Sequence, residues 1–173
     1  IMNTFLFSII KKLKLSPDDH GLYSLFGKKV AVGLYEKEFY VFSNFSSFQI
    51  MYEGKLYPTS EHVYHAMKFT DPEIQEKMRL AICAHEAFYL ARDFEEKKRS
   101  DWNDVRYEYM KQILRLKVEQ HPYVKKKLIA SDGLIIIEDS WRDAAWGWGP
   151  DRDGQNLLGN VWMEVRSEIM KLN

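Results

Sequence analysis

The chain is poor in cysteine, in net charge and in long apolar runs, and each shortage excludes something. Cys83 is the only cysteine in 173 residues, so an internal disulfide is impossible and no metal site can be built from several thiolates. A reducing, cytoplasmic setting fits that usage. Lys+Arg and Asp+Glu both total 25, so a general polyanion-binding surface is not indicated, and only a local basic site is left open. Residues 5–10 are apolar but far short of the roughly 20 residues that a membrane helix takes. Lys11, Lys12 and Lys14 follow that stretch, whereas a secretory leader carries its positive charges first. Neither a leader nor a membrane anchor is expected. Residues 1–30 read as a peripheral N-terminal extension with a short amphipathic helix, and residues 31–173 as the main domain.

Several signatures are also missing. There is no P-loop, no G-x-G-x-x-G and no G-x-S-x-G elbow, and Cys83 lacks cysteine-protease surroundings. Asp151-Arg152-Asp153-Gly154 has the start of a calcium loop without the later ligands. No metal and no cofactor is expected.

What is present belongs to a compact globular protein, with 46% hydrophobic and 14% aromatic residues. Residues 29–34 and 39–42 read as short strands, 43–47 as a loop, and 48–57 as a hairpin turning at Glu53-Gly54. Helices are expected over 73–83 and 86–92, separated near Ala84-His85, and the charged run 92–99 that follows reads as a solvated connector or helix face. Trp102, Val105, Tyr109, Ile113 and Leu116 recur at three and four and predict a long helix over 102–117. A short helix over 122–128 and a buried strand over 134–137 follow. Leu158, Val161, Trp162, Val165 and Ile169 mark a C-terminal helix.

Two stretches carry chemistry. Thr59-Ser60-Glu61-His62-Val63-Tyr64-His65-Ala66-Met67-Lys68-Phe69, capped at Thr59 or Ser60 and closed by Asp71-Pro72, reads as a short helix. Glu61, Tyr64, His65 and Lys68 fall on one face, with Val63 and Met67 opposite. That face is either a chemical constellation or a solvated surface with an i,i+4 pair. Glu61 and His65 also have ligand spacing, and His62, His85 and His121 are available, but no third metal ligand arrives in a recognisable pattern. Trp146-Gly147-Trp148-Gly149 is the second stretch. Tryptophan rings next to glycines can wall a slot for a flat heterocycle, or either ring can be core. Asp143 precedes this loop and could reach the same cleft.

Taken in order, the motifs resemble the NADAR family, named for its association with NAD and ADP-ribose, and its YbiA-like single-domain members. The matching pieces are Phe42-Ser43-Asn44-Phe45, the segment from Tyr57-Pro58-Thr59-Ser60-Glu61-His62 to Lys68-Phe69, Asp101-Trp102, Met110, Asp143 with Trp146-Gly147-Trp148-Gly149, and Asn156-Leu157-Leu158-Gly159 through Arg166. The resemblance implies an α+β fold, mostly helical with a small sheet, and hydrolysis of a ribose C1′–N bond. It attaches two substrate classes, ADP-ribose on guanine, including guanine in nucleic acid, and phosphoribosylated intermediates of riboflavin synthesis. A sensor that binds NAD or ADP-ribose without turnover is the alternative. On this resemblance Glu61 is the sugar-side carboxylate, Lys68 an acid or a Schiff-base amine, and Asp143 a second carboxylate. Ser43 and Asn44 suit sugar hydroxyls or phosphate, and Trp146, Gly147, Trp148 and Gly149 suit the base. Phe45, His65, Trp102 and Asn156 complete the expected substrate-binding set.

Overall fold

The computed structural model of the chain describes residues 2–34 and 37–171. Contacts divide it into two compact units, Ile1–Ser43 with Lys125–Asn173, and Asn44–Val124. The architecture is the expected α+β, with helices predominating and two small sheets. Among the described residues no helix is long and apolar enough to cross a membrane.

The first unit is built on a three-stranded sheet. β1 (Leu22–Leu25) pairs antiparallel with β2 (Lys28–Gly33), and β2 pairs parallel with β5 (Ile135–Ile137), setting Ala31 opposite Ile135 and Gly33 opposite Ile137. Phe26 and Gly27 both have positive φ, which lets a two-residue turn follow the twist of β1 and β2. All three residues of β5 are buried, as a covered strand requires. Ile135 and Ile137 join a cluster with Tyr23, Ala31, Trp148 and Ile10 of α1 (Met2–Lys12). α7 (Leu157–Lys171) buries Leu158, Val161, Trp162 and Val165 and packs on β5. It comes so close that a Cβ at Gly159 would stand 2.0 Å from Ile136 O, so only glycine fits there.

One expected strand is not a strand. Residues 39–42 lie in a 3-10 turn, Lys37–Phe42. Phe39 and Phe42, three residues apart, are buried with ring centroids 5.9 Å from each other, and a period of three suits that geometry where a period of two does not. β1 was hidden inside the expected N-terminal extension.

The second unit opens with the predicted hairpin, β3 (Ile50–Tyr52) and β4 (Lys55–Tyr57), turning at Glu53 and Gly54, both at positive φ. Then come α2 (Ser60–Ala66), α3 (Pro72–Arg79), α4 (Ala84–Asp93) and α5 (Trp102–Gln120). α3 starts on an Asp71 cap with Pro72 in its first turn, and ends at Arg79, four residues earlier than expected. The charged run after α4 is mostly exposed, as expected of a solvated connector, and Arg99 at its end is half-buried. Arg99 chelates Asp101 through Nε and Nη2 at 2.6 and 2.9 Å and donates to Tyr109 Oη at 2.7 Å. α6 (Pro122–Ala130) carries the chain out of the second unit into the first.

α5 ties this unit together along its length. Trp102 packs on Tyr64 of α2, Met110 Sδ accepts from Asn44 Nδ2 at 3.4 Å, and Lys117 Nζ donates to Ser46 Oγ at 2.8 Å. Gln120 closes the series with a pair of bonds to the Met51 backbone at 2.8 and 2.9 Å. The buried stripe is Trp102, Met110, Ile113, Leu114, Lys117 and Val118, so a lysine occupies a core position.

Burial pushes the Lys117 ammonium down to about 7 from its ordinary 10.5. Between those values the unfolded chain holds a proton that the folded chain has shed, so stability increases with pH there. The urea midpoint should therefore climb from pH 7 towards about pH 10, and Lys117→Met should flatten that climb. Parallel pH series of urea titrations on the two proteins check it.

Candidate functional site

α2 is buried on every side: all seven residues from Ser60 to Ala66 are inside. A solvated face is therefore not what Glu61, Tyr64 and His65 form. Thr59 caps the helix, its Oγ1 accepting from His62 N–H at 3.4 Å, and α3, α4 and α5 pack against it. Glu61 keeps 8% of its surface exposed and His65 2%. Their side chains meet at 2.7 Å, His65 Nε2 to Glu61 Oε1. A carboxylate that only accepts makes Nε2–H the donor. Tyr64 and Phe88 rings lie edge-on to the imidazole at 5.5 and 5.7 Å.

The helix stops before Lys68. Met67 N–H reaches Val63 O at 3.0 Å, and then Lys68 and Phe69 N–H reach back only three residues, to His65 O and Ala66 O at 3.3 and 3.1 Å. Lys68 still follows the same side, its Nζ 5.3 Å from the Tyr64 ring centroid. Burial lowers the Lys68 pKa from its ordinary value, with Lys98 and Arg106 adding to the shift and Glu61 and Glu95 opposing it. Tyr64 in turn rests on Trp102 at 5.0 Å. Asn44 faces the start of α2, its carbonyl accepting Glu61 N–H at 3.1 Å.

Three buried polar atoms around this carboxylate have no hydrogen-bond partner among the described residues: Asn44 Oδ1, Ser60 Oγ and His65 Nδ1. Orphaned polar groups cost about 1–3 kcal/mol each, and here they gather on the residues that surround one carboxylate. Ser60 was not foreseen as a site residue, since its sequence position reads simply as a cap. Phe45, one residue past Asn44, stacks edge-on against His85 at 4.8 Å.

The remaining candidates lie in the first unit. Asp143 Oδ1 accepts Ala145 and Trp146 N–H at 2.8 and 2.9 Å, shaping the turn that precedes the tryptophans. Gly147 is required by space, because a Cβ would lie 2.8 Å from both Asp143 O and Glu138 O. Gly149 has φ +69 and no room beside Ala144. Trp148 belongs to the core, 3% exposed, edge-on to Tyr23 at 5.7 Å, with the Arg152 guanidinium 4.6 Å from its ring centroid. Trp146 is half-buried. Asn156 is fully engaged: Oδ1 accepts Glu138 N–H at 2.8 Å and Nδ2 donates to Ile136 O at 2.9 Å. Ser43 is buried, with its N–H on Tyr40 O at 3.0 Å. Among the described residues no group of three or more His, Cys, Asp and Glu is placed to hold a metal ion.

Comparison with known proteins gives concordant matches. The family model described as the NADAR domain matches residues 32–170. A riboflavin biosynthesis protein of Vibrio vulnificus is 40% identical over 129 residues, covering 75% of this chain and 35% of that protein. N-glycosidase YbiA of Escherichia coli is 36% identical over 128 residues, covering 74% of this chain and 80% of YbiA. The NMR structure of the E. coli protein YbiA superposes with a TM-score of 0.76 at 34% identity, over 83% of this chain and 88% of that one.

Asn156 separates a framework role from a ligand-binding one. Asn156→Ala should lower unfolding free energy by about 2 kcal/mol or more, since two buried hydrogen bonds are lost and their backbone partners left unpaired. Urea denaturation followed by tryptophan fluorescence measures the change.

Proposed function

This chain belongs to the NADAR family, and from that premise we infer that it is an N-glycosidase, hydrolysing the bond between a ribose C1′ and nitrogen in a nucleotide-type substrate. The observation that carries the assignment is the buried Glu61–His65 pair with Lys68, its pKa lowered by burial, just past the end of the same helix. Breaking C1′–N builds positive charge on the sugar and negative charge on the departing base. Glu61, with Oε1 held by His65, supplies a fixed carboxylate for the sugar side. Asn44 Oδ1 and Ser60 Oγ are available to sugar hydroxyls.

Lys68 acts as a nucleophile in this reading. Its partly desolvated amine has a larger neutral fraction near neutral pH than a surface lysine has. Nζ bonds to C1′ as the base departs, the proton shed by the amine travels through Glu61 to the leaving nitrogen, and ring opening leaves an imine. Water then adds to the imine, releases the sugar and restores the amine. Asp143, in the first unit, shapes the turn that presents Trp146 in this reading. ADP-ribose attached to guanine and phosphoribosylated pyrimidine intermediates both fit this chemistry. Relatives named as riboflavin biosynthesis proteins support the second class, and the lysine route favours the first. The work is cytoplasmic and involves no membrane.

Glu61→Gln should reduce turnover by about two orders of magnitude or more while the protein stays folded. Release of free base from each substrate class, with circular dichroism as the folding control, decides it, and near-normal turnover would remove Glu61 from the mechanism. Borohydride added during turnover should trap a sugar adduct on Lys68, found by peptide mass spectrometry, and Lys68→Arg should be inactive despite keeping its charge. An absent adduct with an active Lys68→Arg protein would mean that water attacks C1′ directly.

A further inference from the structure

α1 precedes the stretch matched to the NADAR domain, yet within the first unit it is fastened to the loop that carries Trp146 and Trp148. Lys11 Nζ donates to Gly154 O at 3.3 Å, and from the loop Arg152 Nη1 donates to Leu15 O at 2.6 Å. The two cations therefore cross, each reaching a carbonyl of the other's segment. Phe7 stacks on Trp148 with ring centroids 6.4 Å apart, and the Arg152 guanidinium stands 4.6 Å from the same indole. Ile10 is enclosed in the cluster that holds Trp148. Covering the sheet needs only the apolar side chains of α1. The crossed cations do something further, since a bond from a charged donor is stronger than a neutral one and fixes direction as packing does not.

Arg152 also has φ +57, a left-handed conformation that glycine or asparagine takes at less cost. A long side chain kept there is held by its partners, Leu15 O and the Trp148 ring. Inside the loop the two arms are laced together. Gly154 N–H donates to Trp148 O at 2.8 Å, Gln155 N–H to Ala144 O at 2.8 Å and Leu158 N–H to Trp146 O at 3.0 Å. A shift at Arg152 or Gly154 is thus passed on to Trp146. We propose that Arg152 and Lys11 are positioning residues for substrate binding, clasping the N-terminal helix to this loop so that the Trp146 ring is fixed for the base. The proposal rests on the N-glycosidase reading for its link to substrate, while the clasp itself is readable without turnover.

Three variants of the full chain separate positioning from packing. Arg152→Asn suits the left-handed backbone but loses the reach, Lys11→Met keeps the apolar stem but loses the donor, and Arg152→Lys keeps a cationic donor. Hydrogen exchange read by mass spectrometry should be several-fold faster over residues 144–158 in Arg152→Asn and Lys11→Met. Arg152→Lys should stay near the unaltered protein, and peptides of α2 should be unchanged in all three. With an N-glycoside that the unaltered protein cleaves, KM should rise several-fold in the first two variants while kcat holds, because Glu61 and Lys68 are untouched. Unchanged exchange in both variants overturns the clasp. Equal acceleration in α2 means general destabilisation and overturns it too, and faster loop exchange with an unchanged KM overturns the role in binding. An unaltered protein that cleaves no N-glycoside refutes the glycosidase reading and the link to substrate with it, whereas the exchange result stands separately.

Discussion

Glu61 is a carboxylate placed inside a helix that has almost no contact with water, and its surroundings follow from that placement. A charge in such a position needs a hydrogen-bonded partner, and His65 supplies one from the next turn at 2.7 Å. The imidazole must be held in turn, and Tyr64 and Phe88 confine it between ring edges. Tyr64 then leans on Trp102, which fixes α5 against α2. α5 grips the loop at Asn44 and Ser46, and the Asn44 carbonyl returns to the Glu61 amide. The circle closes on the residue where it began. A seven-residue helix is marginal by itself, and its stability here is tertiary.

This arrangement also explains why Lys68 falls outside the helix. The 3-10 closure after Ala66 turns the chain towards Arg99, whose N–H donates to the Lys68 carbonyl at 2.9 Å. The amine is left over the Tyr64 ring in partial shelter from water. Shelter and the opposing pull of Glu61 set its acidity in opposite directions, and shelter is the larger influence.

Much of the fold could be read from the chain because its cues were local. Glu53-Gly54 between two short β-rich runs gave the hairpin, and the cap at Thr59 or Ser60 gave the start of α2. What stayed hidden depended on partners distant in sequence. The 39–42 run has strand-like composition, yet burial of Phe39 with Phe42 decides its period. Lys117 looks like a surface lysine in the sequence, and only the meeting of α5 with Ser46 reveals it as core. Trp148 and Asn156 show the same limit: the ring of one packs with Tyr23 and the amide of the other spans Ile136 and Glu138. Family motifs mark positions that a fold cannot vary, and the sequence alone does not say whether chemistry or packing is the reason. Glu61, His65 and Lys68 share an enclosed polar setting, while for Gly159 the 2.0 Å approach to Ile136 O shows packing.

Asn156 has a consequence for divergence. Its side chain joins the segment leaving β5 to the residue that enters α7, and Gly154 N–H closes on Trp148 O at 2.8 Å just ahead of it. The tip between Gly149 and Gly154 thus hangs from a base that is already fastened. Arg152 reaches back from that tip, its guanidinium 4.6 Å from the Trp148 ring centroid and its Nη1 donating to Leu15 O at 2.6 Å. A change of length there therefore takes contacts from Trp148 while the Asn156 bonds still hold the start of α7.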